Sequence, residues 1–149
     1  MSIVSERVRC IRTEHKLTQG LMAEKIGMKP SSYQNYESAQ SFPPILVLVN
    51  IAIKFNISID YLTGRCDEKK KIQQVYDVEN RIPFSSRLRE LRNKSGMTQT
   101  ETAKAIGLTQ RATYVCYERA EKEPSLPRLI ALADLFDVSL DYLVGFNEK

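Results

Sequence analysis

The chain has 149 residues, 42% hydrophobic and 27% charged, with a formal charge of +4 and a pI near 9.0, which suits one ordinary domain or two small ones of about 60 residues. Its longest apolar run, Ile45 to Val49 with Ile51 to Ile53 behind Asn50, is far short of the roughly 18 residues of a membrane span, and the charges in MSIVSERVRC stand where a signal peptide would be apolar, so no membrane association and a cytoplasmic location are expected. The three cysteines and single histidine, widely spaced, predict no disulfide framework, no metal site, no cofactor and no catalytic constellation, while the basic balance permits an anionic partner.

In chain order, Val4, Val8 and Ile11 recur at helical spacing and predict a first helix with Arg7 and Arg9 turned outward. Thr18 stands where an N-cap hydroxyl opens a second helix, Gln19 to Ile26, and Gly27 stops it by accepting the left-handed backbone of a tight turn. A third helix is predicted from about Pro30 to Ser38 and a fourth from Ile45 to Phe55. A last short helix, IDYL, follows Ser58 and ends at Gly64. Residues 67–83 are polar with cancelling charges and read as a linker, part helical if Ile72, Val75 and Tyr76 share a face.

The same series then returns. Leu88 and Leu91 mark a first helix, Thr98 caps Gln99 to Ile106, and Gly107 stops it. Gln110 to Arg119 and Ser125 to Phe136 follow, then LDYL between Ser139 and Gly145. Arg7, Arg9, Arg12, Thr18, Gln19, Ala23, Ile26 and Gly27 pair with Arg87, Arg89, Arg92, Thr98, Gln99, Ala103, Ile106 and Gly107 at one offset. Tyr36, Glu37, Pro43, Asp60 and Gly64 pair with Tyr117, Glu118, Pro124, Asp141 and Gly145 at an offset one longer. About a third of some 60 positions agree, too many for chance. The expected architecture is therefore all-α, with two tandem five-helix domains over residues 1–66 and 84–149. Thr102, standing where the first copy has apolar Met22, predicts a slightly weaker core or a different surface in the second.

In each copy a cap Thr, a Gln, a small Ala, a Gly turn and a short third helix describe a helix-turn-helix. TQGLMAEKIGMKPSSYQNYE and TQTETAKAIGLTQRATYVCYE resemble the lambdoid-repressor and Cro-like (XRE-type) helix-turn-helix family, over both copies but not the linker. The resemblance implies a lambda-repressor-like fold and a sequence-specific transcriptional regulator, a repressor by analogy, whose partner is double-stranded DNA. It places Gln19 and Gln99 where a phosphate is gripped and the recognition helix braced. It also implies structural pairs, Arg12 with Glu37 and Arg92 with Glu118. Tyr36 and Tyr117 are expected in the core rather than as stacking platforms.

Base-reading positions of the first copy then fall on Ser31, Gln34 and Asn35, with Lys29 at the turn; Gln and Asn can each make two hydrogen bonds to adenine. The plain alternative is a solvated polar face without sequence preference. In the second copy one residue is added near Thr109 to Arg111. If the turn absorbs it, Val115 and Cys116 take the places of Gln34 and Asn35, and direct reading rests on Gln110 and Arg111. Charge points the same way: residues 1–66 hold 8 Lys or Arg against 5 Asp or Glu, and residues 84–149 hold 10 against 9, making the first copy the expected better DNA ligand. Two function classes stand open. One is a regulator reading DNA with one or both domains. The other has a DNA-binding first domain and a second domain serving dimerisation or a protein partner, including a homodimer through the C-terminal helices.

Overall fold

A computed structural model describes residues 2–69 and 83–146, and the chain divides into two compact units, residues 1–74 and 75–149. The predicted helical spacing of Ile72, Val75 and Tyr76 lies outside the described residues. Every described element is a helix. The first unit holds α1 (Ile3–Glu14), α2 (Gln19–Lys25), α3 (Pro30–Glu37), α4 (Ile45–Phe55) and α5 (Ile59–Thr63). The second holds α6 (Phe84–Lys94), α7 (Gln99–Ala105), α8 (Arg111–Glu118), α9 (Leu126–Leu135) and α10 (Leu140–Leu143). No helix among the described residues is long and apolar enough to cross a membrane.

Amphipathic spacing builds each core. Val4, Val8 and Ile11 of α1, Leu48, Ile51 and Ala52 of the largely apolar α4, and Ile59 and Leu62 of α5 are all buried, with α5 packed against both α1 and α4. The hydroxyls of Thr18 and Thr98 accept from the amides of Leu21 and Glu101, and the Glu101 carboxylate accepts in turn from the amide of Thr98, completing a capping box in the second unit.

Both second helices end in the same way. Gly27 has φ +75°, with its amide donating to Glu24 O at 3.1 Å and that of Met28 to Ala23 O at 2.9 Å. Gly107 has φ +73°, with amides of Gly107 and Leu108 donating to Lys104 O and Ala103 O at 3.0 and 2.8 Å. These are Schellman closures, and the positive φ is what favours glycine, although Lys16, Ala39 and Ala120 adopt it at the ends of other helices. A Cβ at either glycine would meet nothing within 4 Å, so space is not the reason.

The shared closure locates the added residue. From Gly27 the chain needs only Met28 before Lys29 caps α3; from Gly107 it passes Leu108 and Thr109 before Gln110 caps α8. Both third helices keep eight residues. Thr109 is the extra residue, absorbed in the turn, where it spares the helix a rotation of about 100°. Gln110, predicted to begin the helix, is instead its extended N-cap at φ −124°, ψ 125°.

Arg7 does not point outward as its spacing suggested. Its guanidinium lies 4.3 Å from the centroid of the Tyr61 ring and donates to the carbonyls of Tyr61 and Cys66 (2.5 Å to the latter) and to Asp67. Arg87 likewise stacks on Tyr142 at 3.9 Å and is 7% exposed. The long stem lets a residue at the edge of the apolar stripe fold inward over a ring. Asp67 and Lys69, which composition placed in the linker, are held against α1 by Arg7 and Glu14.

Candidate nucleic-acid interface

The third helices owe their orientation to one buried carboxylate apiece. Glu37 closes α3 with its side chain 1% exposed. The fork of Arg12 on α1 donates from Nε to Oε1 at 2.6 Å and from Nη2 to Oε2 at 3.2 Å, while Nη1 reaches Leu17 O at 2.9 Å. Gln19 on α2 donates from Nε2 to Oε2 at 2.9 Å, and Tyr33 on α3 donates its hydroxyl to Oε1 at 2.6 Å. Arg9, 44% exposed, donates to the Glu37 backbone carbonyl. One anion thus joins three helices. Burial pushes its carboxyl up, but the hydrogen bonds from Arg12, Tyr33 and Gln19 prevail and hold it below the usual value.

Glu118 repeats the arrangement in the second unit. Arg92 donates to its two oxygens at 2.5 and 3.2 Å, Gln99 to Oε2 at 3.0 Å and Arg89 to the backbone carbonyl at 2.9 Å. The geometry matches the structural pairs that the family resemblance implied.

Tyr33 and Tyr114 are fully buried, whereas Tyr36, expected in the core, is only half-buried; Tyr117 is buried as expected. Sequence reading stopped at the Tyr-Glu dipeptides. The spacing that identifies the inner tyrosine is the four-residue step back from the buried glutamate, which puts both on one helix face. The two inner tyrosines are not equivalent: the Tyr114 hydroxyl is buried without a hydrogen-bond partner among the described residues. Beside α8, Thr102 is fully buried and donates its hydroxyl to Thr98 O at 3.0 Å. Tyr33→Phe is therefore expected to cost about 1.5 kcal/mol, the value of a hydrogen bond to a charged acceptor, and Tyr114→Phe to be neutral within about 0.5 kcal/mol or stabilising. Urea denaturation of the two variants checks this contrast.

The opposite face of α3 is open. Ser31, Gln34 and Asn35 are all exposed, at positions i, i+3 and i+4, with exposed Lys29 at the N-cap and Gln19 half-buried behind them. Pro30 occupies the first helical position, where a missing amide hydrogen costs nothing. The local sequence produces this face directly, since burying Tyr33 and Glu37 turns the three polar residues to solvent.

In the second unit the corresponding places hold Ala112, exposed, and Val115 and Cys116, half-buried. Gln110 is exposed at the cap. Arg111 is exposed at the first helical position and donates from Nη2 to Gln99 Oε1 at 2.7 Å. Gln99 is thereby clasped between Arg111 and Glu118, a link that the first unit, with Pro30 in this place, does not have.

A family profile described as Helix-turn-helix matches residues 8–62 and again 88–143. The chain belongs to the helix-turn-helix family. YobD, an HTH-type transcriptional regulator of Bacillus subtilis, is 43% identical over 63 residues, covering 42% of this chain and 56% of that protein. The cryptic phage CTXphi transcriptional repressor RstR of Vibrio cholerae is 39% identical, over 52% of this chain and 78% of that one. The immunity repressor protein of Bacillus phage phi105 is 28% identical, over 60% of this chain and 62% of its own length. The chain spans just over half the length of the first of these relatives. Both helix-turn-helix segments contain the α2-turn-α3 and α7-turn-α8 geometry described above.

Proposed function

We propose that the chain is a sequence-specific double-stranded DNA-binding transcriptional regulator that reads the major groove with α3. The observation that carries this is the exposed Ser31, Gln34 and Asn35 face, presented on a helix whose opposite side is locked by the buried Glu37. A helix fits the major groove, and amide side chains held in one orientation can donate to and accept from an adenine edge together. Gln19, on the first turn of α2, and Lys29, at the α3 cap, stand at helix N-termini, where backbone amides and the helix dipole favour a phosphate. In the second unit Gln99, Gln110 and Arg111 occupy the equivalent ends. Repression is supported by two of the relatives, the CTXphi repressor and the phi105 immunity repressor.

Service of the second unit as a dimerisation or partner module draws less support. Val115 and Cys116 are half-buried, and Leu140, Leu143 and Val144 are enclosed in their own unit. The test is selection of binding sites from a random duplex library with the full chain. Enrichment of one short motif is expected, with adenines at the positions that face Gln34 and Asn35. A library that returns no enriched sequence overturns the reading.

A further inference from the structure

The two recognition helices differ mostly in what stands at their ends. Beyond the C-terminus of α3 come Ser38 and Ser41; beyond that of α8, at the matching places, come Arg119 and Lys122, both exposed. At the N-terminal first position the first unit has Pro30 and the second has exposed Arg111. In the first turn of α9 the second unit adds half-buried Arg128, where α4 has Val47. Between these ends the exchange runs the other way, with Ser31, Gln34 and Asn35 replaced by Ala112, Val115 and Cys116. Side chains that discriminate bases have gone and exposed cations now stand at both ends of the helix, although Glu121 and Glu123 arrive with them where the first unit has Gln40 and Phe42, and Gln110 replaces Lys29, so what differs is where the cations stand and not their sum.

The spacing of those cations suits one kind of partner. A helix of eight residues is about 12 Å long, close to the width of the DNA major groove, so charges at its two ends are set apart as the phosphates on the two rims are. Arg111 is held in place, since Gln99 accepts from it and is itself bonded to Glu118, so less side-chain freedom is lost on binding. Arg119 is 62% exposed; its contact with Glu121 at 3.9 Å is a surface pair and leaves the guanidinium open to a stronger anion. Of the other carboxylates on this stretch, Glu118 is buried against Arg92 and Glu101 is engaged in the α7 capping box, while Glu123 lies exposed next to Lys122 in the loop before α9.

We infer that the second unit grips the phosphate backbone of double-stranded DNA without reading its sequence, through Arg111, Arg119 and Lys122. Tethered to the first unit, it raises the local concentration of the reading helix on any duplex, and specificity stays with Ser31, Gln34 and Asn35. This division reverses the expectation drawn from net charge, because placement at the helix ends matters more than the sum over each copy. The inference rests on the DNA-binding function proposed above.

The test uses the full chain and its Arg119→Gln/Lys122→Gln variant. Arg111 is left intact because it belongs to the Gln99 network. Affinities are measured by fluorescence anisotropy for the selected duplex and for a scrambled one, over salt concentrations from about 50 to 300 mM. The variant is expected to lose about tenfold in affinity for both duplexes alike and to lower the salt slope by about 2, while library selection returns an unchanged motif. Equal affinity and an equal slope overturn the inference, as does a motif that changes at particular positions, because the second unit would then be reading bases. If the unaltered chain binds no duplex, the proposed function itself fails; if it selects a site that the variant binds equally well, the backbone grip alone fails.

Discussion

Glu37→Ala is expected to lower the stability of the first unit by about 3 kcal/mol, the scale for removing one partner of a buried charged pair. The loss exceeds that of a surface ion pair because the carboxylate is 1% exposed and serves three helices. Its removal leaves the Arg12 fork, the Gln19 amide and the Tyr33 hydroxyl facing one another without an acceptor. The effect also has a pH signature. The Glu37 carboxyl is held below its ordinary 4.5, so its contribution is complete above that value and is lost as pH falls below it through the depressed folded value. Glu37→Gln removes this acid-side dependence while keeping the side-chain volume. Peptide-resolved hydrogen exchange at neutral pH should show protection falling across α1, α2 and α3, with residues 83–146 unaffected. Urea denaturation from acid to neutral pH should show a flatter acid limb for Glu37→Gln. Unchanged protection in α1 to α3 would mean that the carboxylate is not what joins them.

The sequence carried much of this arrangement because its signals were local. Gly27 and Gly107 mark their turns by a left-handed backbone that glycine adopts at least cost, and Thr18 and Thr98 announce the helices they cap. Readings that needed a distant partner went wrong. Arg7 lies at the border of the α1 apolar stripe, and only the Tyr61 ring, 54 residues later, decides that it folds inward. Tyr36, expected in the core beside Glu37, is only half-buried, because the buried carboxylate takes its i−4 neighbour Tyr33 as its partner. The added residue of the second copy was legible as a count and as a window from Thr109 to Arg111, but not as a single residue. Assigning it to Thr109 required the Schellman closure on one side and the Glu118 network on the other, both of which are hydrogen-bond geometry rather than composition.

Gln34→Ala/Asn35→Ala is expected to abolish discrimination at two base pairs while leaving the fold intact. Both side chains are exposed, and neither takes part in the Glu37 network, so stability should change by less than about 0.5 kcal/mol. Each bidentate amide-adenine pair is worth about 1 to 3 kcal/mol of discrimination, so the double variant should bind the selected duplex about 10²- to 10⁴-fold more weakly if the two contributions add, and about as well as it binds a scrambled one. Its salt slope should match that of the unaltered chain, since no phosphate contact has been removed. The backbone-grip variant gives the complementary pattern, uniform weakening with a smaller slope. Competition anisotropy against both duplexes measures each quantity in one titration series. A Gln34→Ala/Asn35→Ala variant that keeps its preference for the selected duplex would move sequence reading off these two amides, leaving Ser31 on α3 and Gln110 and Arg111 at the start of α8 to supply it.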